Sequence, residues 1–245
     1  MELTQLVIVF VVGIVAGIIN TLAGGGSLLT LPTLIFIGLS GATANGTNRI
    51  AILVQNIFAV SGFHRKGISD VKRSIQLALP TLMGAMVGAK IGVELPDEWF
   101  RKVLAVIMVL VLIITLKKPK IHLKKGSRGW GLTLLIFFFV GIYGGFIQAG
   151  VGFFLIMALT VVTGKNLVYV NYYKVFIVGI YTIFALSVFI WEGKIDWLIG
   201  STLALGNGLG GWIGSHSAVA LGEKWLRYVL AIAVIAMAIN LMWRG

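Results

Sequence analysis

The 245-residue chain is 58% hydrophobic, 11% charged and free of cysteine. That apolar share, with a mean hydropathy of +1.00, excludes a soluble globular domain and points to a protein of the lipid bilayer. The net charge of +12 does not imply a nucleic-acid partner, because the basic residues gather in connecting segments, as the positive-inside rule expects of short cytoplasmic loops.

In chain order, apolar runs predict helices at 3–22, 43–63, 74–93 and 99–116, then at 129–147, 168–191, 197–218 and 225–243. Each is close to the 20 or so residues that cross a bilayer. Met1-Glu2-Leu3 leads straight into apolar sequence without a basic leader or a small-residue cleavage site, so the first helix reads as retained. Two further apolar pieces, 27–37 and 153–163, are too short to span alone. Each follows a glycine cluster, Gly24-Gly25-Gly26 or Gly150-Val151-Gly152, and each ends near Gly38 or Gly164. Residues 118–128 form a lysine-rich linker expected in the cytoplasm, together with the basic loop at 64–73. Trp99, Trp191, Trp197, Trp225 and Trp243 lie where interfacial anchors belong.

A shift of 126 residues lays the chain on itself without a gap from about Ser27 to Ala105. Asn45 falls on Asn171, Phe63 on Phe189, Gly67 on Gly193, Asp70 on Asp196, Gly84 on Gly210, Trp99 on Trp225 and Arg101 on Arg227. The register slips only at the glycine breaks. The expected fold is an all-α integral membrane protein of two homologous repeats, 1–117 and 129–245, joined by the linker 118–128. It has about eight full transmembrane helices and two short, glycine-interrupted half-helices. Such internal symmetry marks many secondary transporters, with the substrate site between the repeats. Parallel repeats would leave the termini inside and inverted repeats outside. The basic His64–Arg73 loop against the net acidic Glu192–Asp196 loop leans toward inversion, and both topologies stay open.

The half-helices suggest the site. Helix N-termini expose unpaired N–H groups, and irregular backbone survives at membrane depth only where protein or a watery cavity satisfies it. Glycines let backbone approach an anion, and the N-terminal dipole favours negative charge. The candidate bed is Gly24, Gly25, Gly26, Ser27, Gly150 and Gly152, with Asn20, Thr21 and Gln148 adding neutral hydrogen-bonding groups; close packing through small residues is the other reading. Asn45, Asn48, Arg49, Asn171 and Lys174 open the long spans that follow. Asn45 and Asn171 serve either as helix caps or as ligand donors. Arg49 and Lys174 either attract substrate or snorkel to the interface. Gln55 and Asn56 sit mid-helix, where they line a cavity or bridge helices. No zinc-protease, nucleophile-elbow, Walker or dinucleotide motif occurs, and no acidic pair lies inside a span, so an enzyme is not expected. No cofactor or metal is expected either.

The paired glycine breaks, the Asn45 and Asn171 openings and the exits Phe63-x3-Gly67-x2-Asp70 and Phe189-x3-Gly193-x2-Asp196 resemble the TauE/SafE family, also described as sulfite exporter or TSUP transporters. The resemblance covers both halves. It implies a multi-pass carrier in the bacterial inner (plasma) membrane that moves a small sulfur-containing oxyanion, sulfite or an organosulfonate, usually outward, by alternating access. Tyr172-Tyr173-Lys174 departs from it, standing where related proteins often carry small residues. The expected partners are a small anionic substrate and the lipid bilayer, with proton or ion coupling and a homo-oligomer left open. An anion channel, an organic-acid or amino-acid carrier, and a non-transporting membrane subunit are the alternatives.

Overall fold

The computed structural model describes residues 2–117 and 129–217. They form α1 (Leu3–Ala23), α2 (Ser27–Phe36), α3 (Gly41–Arg65), α4 (Val71–Glu94), α5 (Asp97–Lys117), α6 (Trp130–Phe146), α7 (Val151–Thr163), α8 (Leu167–Trp191) and α9 (Trp197–Ser217). Among the described residues there is no strand. The linker 118–128 and the helix expected at 225–243, with Trp225 and Trp243, lie outside them. By length and composition α1, α4 and α8 are able to cross a membrane. Leu79, Met83, Val106, Phe139, Ile183 and Leu205 remain exposed on the helix surfaces, as lipid contact requires.

Two helix starts differ from expectation. Asn45 and Asn171 are not caps, because α3 and α8 each begin about a turn earlier. Ser40 caps α3 by accepting from the Thr43 N–H at 3.4 Å, and Asn166 caps α8 by accepting from the Tyr169 N–H at 3.1 Å. Both capping residues stand at the short polar turns after α2 and α7, where a side-chain oxygen meets an orphan donor. Asn45 and Asn171 therefore point sideways from the first turns, free to reach neighbouring helices.

The helices form two triplets of like direction. α1, α3 and α9 run together: Gly13 and Gly17 of α1 lie against Leu203, Gly206, Asn207 and Gly210 of α9, while Gly200 and Gly211 of α9 lie against Thr47, Ile50 and Gln55 of α3. α4, α6 and α8 run together in the opposite sense: Gly84, Gly88 and Gly92 of α4 meet Phe138, Ile142 and Phe146 of α6. At all of these but Gly200, which meets the Ile50 side chain, an added Cβ would collide with main chain, so the small residues are what let the backbones touch. α3 and α8 cross antiparallel at the centre. Phe63, late in α3, stacks edge-on with Tyr172, early in α8; Phe189, late in α8, packs against Gly46, early in α3.

Burial divides the same way. One core joins α1, α2, α5 and α9 with Ala44 and Ala51 of α3. The other joins α4, α6, α7 and α8 with Ile52, Ala59 and Phe63 of α3. Each core draws helices from both sides of the 118–128 linker.

Candidate functional site

After α1 and after α6 the chain turns sharply back on itself. Gly24 ends α1 with φ 84°, a left-handed conformation that glycine adopts without strain. Gly150 opens α7 with φ 68°. Between α6 and α7, Gln148 also holds φ 59°, a costly choice for a residue with a side chain. The Tyr143 hydroxyl donates to the Ala149 carbonyl and helps fix that turn. The two turns touch backbone to backbone: a Cβ on Gly24 would stand 2.5 Å from the Gly152 Cα.

Behind this crossing lies a small closed cavity bounded by Asn20, Ser27, Ile52, Asn56, Gln148, Val151, Gly152, Lys174 and Val178. Its free volume of about 10 Å³ holds one water at most. It sits between the two cores, with α1 and α2 on one side and α7 and α8 on the other. Asn20 and Gln148 bring an amide from each turn. The Asn20 Nδ2 donates to the Gln55 Oε1 at 2.8 Å, and the Gln55 Nε2 donates to the Thr21 Oγ1 at 3.2 Å. The Gln148 Nε2 donates to the Thr182 Oγ1 at 3.2 Å, which leaves its buried Oε1 without a partner. Turning that amide over keeps Thr182 satisfied, since a hydroxyl both donates and accepts, and presents an N–H₂ in place of the oxygen. No carboxylate lines the cavity.

Lys174 supplies the cavity's cation and is 2% exposed. Its Nζ donates to the carbonyls of Asn20 and Thr21, each at 2.8 Å, and to the Asn171 Oδ1 at 3.0 Å. Asn171 is held in turn, its Nδ2 donating to the Leu22 carbonyl at 3.3 Å. The ammonium thus satisfies the open carbonyl end of α1, where the helix dipole favours positive charge. Arg49 does the same for α6 from the other direction. It donates to the Gly144 carbonyl at 3.3 Å and to the Gly145 carbonyl, takes the Asn45 Oδ1 at 3.3 Å, and lies 4.6 Å from the centre of the Phe189 ring. The Asn45 Nδ2 donates to the Phe146 carbonyl at 2.7 Å. Each long central helix therefore closes the broken end of a helix from across the molecule with one asparagine and one cation.

Of the residues singled out from sequence, Asn20, Ser27, Gln148, Gly152 and Lys174 meet at the cavity. Thr21, Gly24, Gly25, Gly26, Gly150 and Asn171 shape or brace its turns without lining it. Asn45 and Arg49 serve the α6 end. Asn48 lies apart, its Oδ1 accepting from Thr30 at 2.6 Å and its buried Nδ2 unpartnered. Asn56 lines the cavity and Gln55 bridges α1 and α3, so the two open roles for these neighbours divide between them. Thr182 escaped the sequence reading; its 126-residue offset from Asn56 is the signal that would have found it. The Phe-x3-Gly-x2-Asp exits also gain a role. The Asp70 Oδ2 accepts from the Tyr173 hydroxyl at 2.5 Å, and the Asp196 N–H donates to the Thr47 Oγ1 at 2.9 Å, so each exit latches onto the opposite central helix. Among the described residues no cluster of histidine and carboxylates is suited to a metal.

Comparison with known proteins identifies the family. The family model described as sulfite exporter TauE/SafE matches residues 9–241. Over 97% of this chain and 92% of its own length, the probable membrane transporter protein ORF9 of Sinorhizobium sp is 28% identical. The probable membrane transporter protein YfcA of Escherichia coli K12 is 30% identical over 96% and 89%. The more distant probable membrane transporter protein YunE of Bacillus subtilis is 21% identical over 98% of both. No solved structure matches the chain. With nearly its whole length inside the family model, the chain belongs to the TauE/SafE family of membrane transporters and is not an enzyme.

Proposed function

We propose that the protein is a secondary carrier that exports a small sulfur-containing oxyanion, sulfite or an organosulfonate, across the inner membrane by alternating access. The observation that carries this reading is the convergence at one closed cavity of two turn amides, the first residues of α2 and α7, and Lys174, with no carboxylate among them. Those are the groups an oxyanion needs, and water-free surroundings strengthen each of them. The description of the matching family as sulfite exporters supports the substrate class. The closed cavity is too small for any such anion, so the anion enters only when the two cores part. On arrival it exchanges for one acceptor on the Lys174 ammonium.

The repeats 1–117 and 129–245 are read as inverted, spanning the membrane many times. The antiparallel crossing of α3 and α8 supports this, since parallel repeats would run these helices the same way. The basic loop after α3 and the acidic loop after α8 then fall on opposite sides, with the basic one cytoplasmic.

The test is thermal stabilisation of the purified chain by sulfite, sulfoacetate, sulfate and acetate, with counterflow in liposomes. A saturable shift with a sulfur oxyanion, absent in Gln148→Leu, together with counterflow that a channel would not give, is expected; binding one hundred times its dissociation constant adds about 2.7 kcal/mol. Failure of all four anions to shift the transition would overturn the substrate class.

A further inference from the structure

A second, larger space adjoins the cavity. It is an open groove of about 460 Å³ between α3 and α8, within the size range of ligand pockets. Leu53, Ile57 and Val60 line it from α3, and Val175, Ile180 and Ile183 from α8. Its polar groups are few: Ser61 and His64 lie toward one end, and Asn56 stands opposite Gly179 partway along, with Leu53 and Ile183 beyond it. From Asn56 to His64 is eight residues of helix, about 12 Å.

Asn56 also bounds the central cavity, so the two spaces share a wall, and that wall is thin. The Asn56 Nδ2 donates to the Ile52 carbonyl of its own helix at 2.7 Å, a bond that does not tie it to α8. Facing it is Gly179, where an added Cβ would lie 3.5 Å from the Asn56 Cβ and touch nothing nearer. At Gly17, Gly88 or Gly145 an added Cβ would collide with a neighbouring backbone; at Gly179 packing makes no such demand. With no side chain at Gly179, Asn56 is the one residue common to the linings of the polar, cationic chamber and the apolar trough.

We propose that the two spaces are compartments of one site, and that the groove takes the apolar tail of an amphiphilic sulfonate whose head occupies the cavity. The proposal rests on the anion reading above and narrows it to organosulfonates with a hydrocarbon body. The head finds Lys174 and the turn amides. Rotation of Asn56 about its own helix opens the wall past Gly179, and the tail lies between α3 and α8, out of water. Compact anions such as sulfate gain nothing from the groove. The wall shared with the cavity at Asn56 distinguishes this occupant from a bilayer acyl chain, which would fill the trough from the lipid side and leave the head site indifferent to tail length.

The experiment compares methanesulfonate, butanesulfonate and hexanesulfonate binding to the full chain in phosphatidylcholine nanodiscs. The readout is the ratio of affinities within each variant, so overall effects on folding cancel. For the unaltered protein butanesulfonate should bind on the order of fiftyfold tighter than methanesulfonate, as three buried methylenes dictate. That ratio should collapse toward one in Gly179→Leu, which fills the trough beside the wall, and in Ile57→Trp, which fills it from a lipid-exposed position. Equal affinity for the two sulfonates overturns the tail compartment while leaving the anion site intact. A ratio that survives both substitutions places the tail elsewhere and overturns it as well. No binding of any sulfonate overturns this inference, and loss of the sulfite shift as well overturns the anion reading with it.

Discussion

At the scale of single residues, the two buried cations do similar structural work under different exposure to the cavity. Both Arg49 and Lys174 close the carbonyl end of a broken helix, but only Lys174 borders the chamber. Removing either leaves buried carbonyls without donors, at a cost of about 2 kcal/mol. Lys174→Gln and Arg49→Gln should both melt earlier than the parent. The readings part on ligand: the Arg49 variant should keep its sulfonate-induced shift, whereas the Lys174 variant should lose it. Equal retention in both would show that Lys174 is only a brace. Sequence alone could not separate these cations, because each stands in the first turns of a long helix beside an asparagine. What distinguishes them is the aromatic ring of Phe189 over one and the small cavity beside the other, and both come from distant parts of the chain.

Among elements, the glycine contacts decide the arrangement. Gly13 and Gly17 on α1, Gly84, Gly88 and Gly92 on α4, and Gly206 and Gly210 on α9 recur at four-residue spacing, the signature of close helix contact in membranes. Gly88→Leu should force α4 from α6 and cost more than about 3 kcal/mol, the upper reach of overpacking. Gly179→Ala should leave the melting temperature close to that of the parent, since a Cβ there meets only ordinary contact. Comparable losses in both would show that α8 also needs its glycine for packing. The apolar runs made the helices legible in the sequence, and the paired glycine clusters made the turns legible. The pairing of α1 with α9 was not, because small-residue spacing marks a face without naming its partner. Asn20, Ser27, Gln148, Gly152 and Lys174 could be found from those clusters and openings; Thr182 was open to the repeat offset from Asn56, but its contact with Gln148 comes only from folding.

For the whole molecule, the helix contacts bear on which parts can move. Rocking residues 1–117 against 129–245 would tear α1 from α9 and α4 from α6, where backbones touch. Parting the two cores, the motion that the proposed alternating access calls for, would instead break the Gly24–Gly152 contact and the Lys174 bonds to α1, with the cavity at the seam. The chain has no cysteine, so introduced pairs report cleanly. Ile18→Cys with Gly214→Cys lies inside one core, where a Cβ on Gly214 would stand 3.4 Å from the Ile18 Cα. Oxidising that pair should leave sulfonate exchange intact, and its abolition would mean that α1 and α9 slide during transport. The same interlacing bears on how the protein is made. α1 is made before the other described helices, yet the helix its glycine face is shaped for begins only at Trp197. Through most of translation that face must rest against lipid or an insertion factor, and the nascent first half has no finished tertiary structure to settle into. The protein's assembly therefore hangs on a late event in synthesis, the arrival of α9, which completes the earliest helix.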